Sequence, residues 1–186
     1  MIKRFALGKI RRFVRDGRAS VAVEFAAIVP LMLMMFFGTV EFSSAVAVNR
    51  KVTLVARNMS DLTSQSTTVT DNDFVNFTAT SKAIMTPYSG TPLNTTVSEL
   101  YVDPTTLTAK VKWSKGSAPR SVGTTVSIPT ALNIDNTYLI YAEVNYLYVP
   151  VVGYIMAKAG ITLSDFTYTR PRQSLCVLYG TTVCPT

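Results

Sequence analysis

The sequence of 186 residues contains no histidine, two cysteines and one tryptophan. Without histidine, the chain cannot form the Ser/His or Cys/His pair that serves as nucleophile and base in many hydrolases. Two cysteines alone also make a poor zinc site, because structural zinc takes four protein ligands. The sequence has no Gly-rich phosphate loop, EF-hand spacing, internal repeat or low-complexity tract. We therefore expect a protein that is not an enzyme and that holds no cofactor or metal.

Acidic residues are scarce at the N-terminus, where seven basic residues within positions 1–19 face only Asp16. The rest of the chain is almost neutral, with eleven basic and ten acidic residues. A basic terminal run can bind nucleic acid, but this one directly precedes an apolar stretch of membrane length. Positive charge beside such a stretch stays on the cytoplasmic side. Residues 1–19 are therefore interpreted as a basic cytoplasmic leader, and no nucleic-acid partner is expected.

The apolar stretch runs from Ser20 to Val40 and is interrupted by Pro30. Its 21 residues would form a helix about 31 Å long at 1.5 Å per residue. That length matches the hydrocarbon core of a bilayer, which is roughly 30 Å thick. Pro30 favours a local kink, which membrane helices tolerate. The pattern predicts one transmembrane helix over 20–40, with everything after Glu41 outside the cytoplasm.

Glu24 is the one ionisable residue within this apolar stretch. An ionisable group in the bilayer core costs roughly 2.5–3.5 kcal/mol on insertion scales. Its presence therefore indicates a specific use. The alternative is a glutamate whose side chain extends toward the cytoplasmic headgroups.

Helical periodicity continues beyond the membrane segment. Residues at three- and four-residue spacing define one face: Phe42, Ala45, Val46, Asn49, Val52, Val55, Ala56, Met59 and Leu62. The opposite face carries Ser43, Arg50, Lys51, Arg57 and Asp61. The pattern predicts that the helix continues over 41–63 as an amphipathic segment whose apolar face needs a partner.

The segment 64–186 combines loops with predicted strands. Residues 64–96 are rich in Ser, Thr, Asn and Asp, which favours loops with a short helix near Asn72–Met85. Alternating apolar residues predict strands over Val97–Val102, Leu107–Ser114, Tyr138–Val149 and Ile161–Thr169. Val126–Leu132 is ambiguous between strand and loop, and Val151–Ala159 forms a short apolar link. In the second strand, Val111 and Trp113 are expected on the same buried face.

These elements predict an α+β fold in which a long N-terminal helix, first transmembrane and then amphipathic, packs on an antiparallel β-sheet. The sheet would bury the apolar face of the helix, and the helix would cover one face of the sheet. Cys176 and Cys184 lie close together near the C-terminus. Outside the cytoplasm such a pair favours a disulfide, with two free thiols as the alternative.

The polar and aromatic residues of the exported part have simple structural interpretations. Asp71 and Asp73 are expected to solvate a loop or to cap a helix starting near Phe74, and Glu143 to lie on a solvent face or at an edge. The lysines are expected to keep a sheet face soluble; these are Lys110, Lys112 and Lys115. The tyrosines favour sheet packing over an adhesive surface; these are Tyr138, Tyr141, Tyr146, Tyr148 and Tyr154.

The N-terminal residues carry a resemblance to a known family. The stretch Gly17-Arg-Ala-Ser-Val-Ala-Val-Glu24-Phe25-Ala-Ala-Ile-Val-Pro30, followed by Gly38-Thr-Val-Glu41-Phe42, resembles the TadE-like pseudopilins. These are TadE/TadF-type minor pilins of the tight-adherence (Tad/Flp) pilus system. Weaker similarities lie around Trp113, Glu143 and Ser164. The resemblance implies a pilin-like α+β fold.

The resemblance also implies a processing site. In that family a prepilin peptidase removes the basic leader five residues before the glutamate. Carried onto this sequence, the cut lies between Ala19 and Ser20, where the family usually has glycine at the first position. Glu24 then becomes the fifth residue of the mature chain and forms the Glu-Phe signature with Phe25. The new α-amino group at Ser20 could pair with Glu24 of a neighbouring subunit and set the register between helices.

The implied function is a non-catalytic subunit that supports pilus assembly. The implied partners are the prepilin peptidase, a TadF-like pseudopilin and the Flp pilin, with no small-molecule substrate. The chain would cross the inner membrane once, with a cytoplasmic N-terminus and a periplasmic domain over 64–186. One alternative is a permanently anchored extracytoplasmic adhesin or scaffold. Another is an ordinary secretory signal cleaved after Ala47, which would truncate the amphipathic helix.

Overall fold

The computed structural model describes residues 17–150, 160–180 and 182–184. These residues include two α-helices, α1 (Gly17–Ser64) and α2 (Asp71–Met85), and a short 3-10 helix at Thr130–Leu132. The strands are β1 (Thr68–Val69), β2 (Leu93–Val102), β3 (Ala109–Gly116), β4 (Thr125–Val126), β5 (Tyr138–Tyr148), β6 (Ile161–Thr169) and β7 (Leu178–Tyr179). The chain divides into two units, the first ending at Ser44 and the second beginning at Ala45.

The second unit is built on a five-stranded antiparallel sheet with the order β4-β3-β2-β5-β6. A separate two-stranded parallel pair joins β1 to β7. The long strand β5 lies between β2 and β6, as the length of its Tyr- and Val-rich run suggests. The α+β prediction is confirmed, because the outer part of a long helix packs on an antiparallel sheet.

The part of α1 within the second unit covers one face of this sheet. Its buried residues are Val48, Val52, Val55, Ala56 and Met59, and their sheet partners include Val97, Ile140, Ala142 and Val144. The predicted face was partly wrong at its start, since Phe42 and Val46 are exposed and Asn49 lies on the surface. The buried stripe instead begins at Val48. The spacing from Val48 through Val52 and Val55 to Met59 is itself helical, so the true stripe is a small rotation of the expected one.

A second hydrophobic cluster covers the opposite sheet face. It comprises Leu100, Val102, Ala109, Val111, Val126, Leu139 and Tyr141. The partly buried Ile128 and Leu132, from the segment that includes β4 and the 3-10 helix, pack against it. The stretch Val126–Leu132, ambiguous in sequence, therefore supplies a cover for the sheet and contains little strand.

A β-bulge at Lys112 changes the face that β3 presents. Leu100 pairs with Val111, whereas the preceding residue, Glu99, pairs with Trp113. The extra residue places Val111 in one cluster and Trp113 in the other. The prediction that both lie on one face is therefore wrong. An unbroken alternation in sequence cannot reveal an extra residue in the ladder.

Helix α2 follows the sequence prediction closely and begins with a capping box. The Thr70 hydroxyl accepts the Asp73 amide, and the Asp73 carboxylate accepts the Thr70 amide at 2.8 Å. The Thr70 hydroxyl also donates to the Asp73 carboxylate at 2.7 Å, and this bond, followed by the one from the Thr70 amide, lowers the pKa of Asp73. At the other end, the Lys51 ammonium of α1 donates to the carbonyls of Ile84 and Thr86, both at 2.8 Å. A cation at a helix C-terminus is favourable because it meets the negative end of the helix dipole.

Strand limits differ from the prediction at two places. Strand β2 begins at Leu93, although a strand was expected only from Val97, because Leu93 to Thr96 pair with β5. Strand β3 begins at Ala109, because Leu107 is exposed and adopts a φ of 50°, outside the β region. The strand over Ile161–Thr169 agrees with the prediction. The apolar link Val151–Ala159 lies outside the described residues.

Substitution of Met59 tests the contact between α1 and the sheet. Met59→Ala should lower the free energy of unfolding by about 2–4 kcal/mol, because it leaves a cavity among packed side chains. The matched control Leu54→Ala, on the exposed face of the same helix, should cost less than about 1 kcal/mol. Denaturant unfolding of the full chain in detergent micelles measures both. Equal losses for the two variants would contradict the packing described here.

Candidate functional site

The first candidate surface is the part of α1 that belongs to the first unit. Thirteen large hydrophobic side chains between Val21 and Phe42 are 44–71% exposed, and they lie on all sides of the helix. Among the described helices, α1 is long and apolar enough to cross a membrane. A continuous apolar surface of this kind is unfavourable in water and suits hydrocarbon, so the helix fits a single-pass anchor.

The predicted processing and register residues lie at the start of this helix. The backbone is helical from Gly17, so Ala19 and Ser20 fall within the first turn. Glu24 and Phe25 follow about one turn later, and both side chains are exposed on the helix surface. The helix continues through Pro30 to Ser64. Ser20 and Glu24 are four residues apart and therefore share one helix face, about 6 Å apart along the axis.

The second candidate site is the C-terminal segment of the second unit. Cys176 and Cys184 are joined by a disulfide, with their Cα atoms 5.9 Å apart. Both backbone groups of Val177, the residue next to the disulfide, form hydrogen bonds with side chains of the sheet. Its amide donates to Glu99 Oε1 at 2.6 Å, and its carbonyl accepts the Trp113 indole N–H at 2.8 Å. The segment is thus fastened to the sheet beside a covalent loop.

Glu99 is a fully buried carboxyl, with only 1% of the residue exposed. Burial raises its pKa from the ordinary value of 4.5 to about 7, although the Val177 amide, the Trp113 side chain and the Lys112 charge all favour the ionised form. Burial, and after it the charge of Glu99, raises the pKa of the neighbouring Tyr138. Local sequence patterns do not reveal this site, because the partner of Glu99 lies 78 residues further along the chain. An acid between Val97 and Leu100 in a predicted strand was the available signal.

Glu143 lies on the sheet face opposite the helices and forms an ion pair. Arg120 donates to both carboxylate oxygens, at 2.9 and 2.6 Å, and the Tyr141 hydroxyl donates at 3.0 Å. The Arg120 guanidinium also lies 5.6 Å from the centre of the Tyr141 ring. Glu143 is half-buried on an interior strand, so the edge position that was one of two expectations is wrong. Its bidentate partner gives it a structural role in linking the segment after β3 to β5.

The tyrosines and lysines are engaged within the domain. Tyr138, Tyr141, Tyr146 and Tyr148 are buried in the sheet, which agrees with a packing role, while Tyr154 lies outside the described residues. Lys110 pairs with Asp103 at 3.4 Å, and Lys115 pairs with Asp71 at 2.8 Å. Within residues 17–150, 160–180 and 182–184, no group of three or more Cys, Asp or Glu could hold a metal ion.

The comparison with protein families concerns α1. Residues 19–59 match the model of the TadE-like protein family. Over this segment the chain is similar to TadE-like proteins. The match covers the exposed apolar surface, Glu24 and the whole buried stripe from Val48 to Met59. No curated protein and no solved structure matches the chain. The family match therefore informs the interpretation of the helix. The sheet domain is interpreted from its own contacts.

The buried carboxyl predicts a pH dependence of stability. Because the folded state raises the pKa of Glu99 from 4.5 to about 7, the folded state binds its proton more tightly than the unfolded chain does. The resulting stabilisation is full below about pH 4.5 and is lost as the pH rises to about 7. Between pH 4.5 and 8, the free energy of unfolding should fall by up to about 3 kcal/mol more in the native chain than in Glu99→Gln. Parallel pH profiles for the two proteins would contradict this.

The disulfide predicts a second loss of stability. The variant with both Cys176→Ser and Cys184→Ser should have a free energy of unfolding about 2–3 kcal/mol lower than the native chain, because the loop constraint on the unfolded chain is removed. The native chain treated with dithiothreitol should behave like the double variant. Thermal unfolding with and without the reductant measures this, and a native chain insensitive to reduction would argue against the cross-link.

Proposed function

We propose that this chain is a pilin-like subunit that supports assembly of a Tad-type pilus and catalyses no reaction. The observation that carries the proposal is the TadE-like match over residues 19–59, on a helix whose apolar side chains are exposed from Val21 to Phe42. A helix of this kind serves both as an anchor in lipid and as a packing surface for similar helices. The sheet domain packs on the outer part of the same helix. Its buried and hydrogen-bonded side chains suit a structural subunit.

The leader is proposed to be removed before assembly. A prepilin peptidase would cut between Ala19 and Ser20 at the cytoplasmic face, where the basic residues 1–19 are held by the positive-inside asymmetry. Cleavage removes seven basic residues and Asp16 and leaves the apolar surface intact. It also creates an α-amino group at Ser20, which is positively charged at neutral pH.

The new amino group and Glu24 are proposed to pair between neighbouring subunits. The two groups lie about 6 Å apart along one helix axis. A neighbour displaced by about that distance would bring its amine level with Glu24. Pairing lowers the cost of burying both charges, and a lone charge left behind would cost several kcal/mol. The pair would therefore select one axial register between otherwise featureless apolar helices.

The proposed location follows from the same helix. One span in the inner membrane, with the basic end in the cytoplasm, places the sheet domain in the periplasm. The disulfide between Cys176 and Cys184 suits that oxidising compartment. Other pilin-like subunits, of the TadF-like and Flp types, are the proposed partners of the apolar surface.

Neutralising Glu24 tests the proposed role. Glu24→Gln should insert and be processed normally, yet reduce the number of assembled pili at least about tenfold, because loss of a buried pair exceeds 1.4 kcal/mol. Glu41→Gln, at the outer end of the span, is the matched control and should assemble normally. Electron microscopy of pili, with immunoblots of the membrane fraction, measures both. Normal piliation by Glu24→Gln would refute the register role.

A further inference from the structure

Strand β6 forms a long and regular edge of the five-stranded sheet. It pairs with β5 over its whole length, from Ile161 to Thr169, without a bulge. Among the residues that the structure describes, no strand pairs with its other side, and none of its nine residues is fully buried. Edge strands are commonly kept short or carry Lys or Pro. The opposite edge, β4, has only two residues, whereas β6 is long and contains neither Lys nor Pro.

The backbone pairing shows which groups of β6 face away from the sheet. The Val102 amide donates to the carbonyl of Thr137, directly before β5. Because backbone groups alternate sides along an antiparallel strand, odd-numbered residues of β5 bond to β2 and even-numbered ones bond to β6. The even-numbered residues of β5 stand opposite the odd-numbered residues of β6. The N–H and C=O groups of Ser164, Phe166 and Tyr168 therefore point outward.

A hydrogen bond at the middle of β6 agrees with this direction. The Phe166 amide donates to Asp165 Oδ1 at 2.8 Å, a contact that an amide directed at β5 would not make. The Thr53 hydroxyl of α1 donates to the other oxygen of the same carboxylate. Asp165 therefore lies on the α1 side of the sheet and satisfies one outward amide while the edge is unoccupied. The carbonyl of an added strand would take over that amide.

A polar groove of about 380 Å³ lies between α1 and this edge. Helix α1 contributes Arg57 and Asp61 to its lining, β6 contributes Thr167 and Thr169, and Arg172 follows the strand. Arg172 forms an ion pair with Asp61. Arg57 is exposed and has no ion-pair partner within the described part of the chain. The groove therefore offers one uncompensated positive charge, which favours a carboxylate.

The other face of the same edge is aromatic. Phe166 is 57% exposed, and its ring lies 6.0 Å from that of Tyr141 and 5.7 Å from that of Tyr168. Side chains of an added strand would alternate between the two faces of the sheet. Those on this face would lie beside Phe166, and those on the other face would lie beside the groove. Cross-strand pairing thus favours apolar residues on one side and an acid on the other.

We propose that β6 binds an extended segment of another protein chain, which adds as a further strand and directs a carboxylate at Arg57 and an apolar side chain at Phe166. Backbone pairing would supply affinity, and the two side-chain preferences would supply selectivity. Asp165 would repel an acid at its own level, so the carboxylate belongs beside Thr167 and Thr169. All of these residues lie in the second unit, so the proposal is independent of the membrane anchor and of the pilus role.

A synthetic peptide of the same length as β6, nine residues, is the probe. It alternates Thr and Val, has Glu in place of its central Thr, and carries a terminal fluorescein. Fluorescence anisotropy measures its binding to the full chain in phosphatidylcholine nanodiscs, with empty nanodiscs as the blank. Binding should be saturable. It should weaken at least about tenfold when Lys replaces the Glu, or when the peptide amides that would face β6 are N-methylated.

Two variants of the chain test the edge and the groove separately. Ser164→Pro removes an outward N–H without removing a bond to β5, and it should weaken binding at least about tenfold. Its matched control Ser164→Ala should bind as the native chain does. Arg57→Glu should reverse the charge preference, so that the Lys peptide binds more tightly than the Glu peptide. Circular dichroism verifies that each variant is folded.

The remaining outcomes overturn the proposal. If the native chain binds no peptide, the edge is closed. If the N-methylated peptide binds as tightly as its parent, the association does not involve strand addition. A preference for Glu that survives in Arg57→Glu removes the groove from the account. If the native chain is a dimer and Ser164→Pro is a monomer, a second copy occupies the edge in place of the proposed partner.

Discussion

The packing of Val48, Val52, Val55 and Met59 against the sheet is the interaction on which the rest of the structure depends. These residues belong to the same helix, α1, that exposes apolar side chains from Val21 to Phe42. The first part of this helix therefore suits a hydrocarbon environment, and a β-sheet covers its second part. The change occurs within one to two turns, between the exposed Phe42 and the buried Val48. Without the sheet contact, the outer part of α1 would have an unpartnered stripe and the sheet an uncovered face.

Polar contacts at the far end of the domain hold the C-terminal segment against this core. The Trp113 indole N–H donates to the Val177 carbonyl, and the Val177 amide donates to the Glu99 carboxyl. The disulfide closes a loop beside Val177. The Arg172 amide donates to the Ser64 carbonyl at 2.9 Å, at the end of α1. The last residue of α1, the central strands and the C-terminal segment are thus joined by direct hydrogen bonds.

Periodicity in the sequence predicted the secondary-structure elements that depend on the spacing of nearby residues. The 3.6-residue pattern identified α1, and alternation identified Ile161–Thr169 and most of the other strands. Features that depend on distant partners could not be read in this way. The bulge at Lys112 turns Trp113 to the other face without disturbing the alternation, and the polar start of β2 is a strand because β5 lies beside it. Glu99 accepts its hydrogen bond from Val177, 78 residues further along the chain. For the candidate site, the isolated charge in an apolar run indicated Glu24, and the resemblance to the TadE-like family implied the cut between Ala19 and Ser20. The proposed partner of Glu24 belongs to another molecule and leaves no signal within one fold.

The mature N-terminus decides between the main interpretations. Cleavage after Ala47 by signal peptidase would spare the buried stripe, because its first fully buried residue is Val48, so packing alone does not exclude it. The most direct measurement is intact-mass analysis of the membrane-extracted protein from cells with and without the prepilin peptidase. Our account predicts a chain that begins at Ser20 when the peptidase is present and at Met1 when it is absent. A chain that begins at Val48, or one that keeps Met1 in both cells, would contradict it.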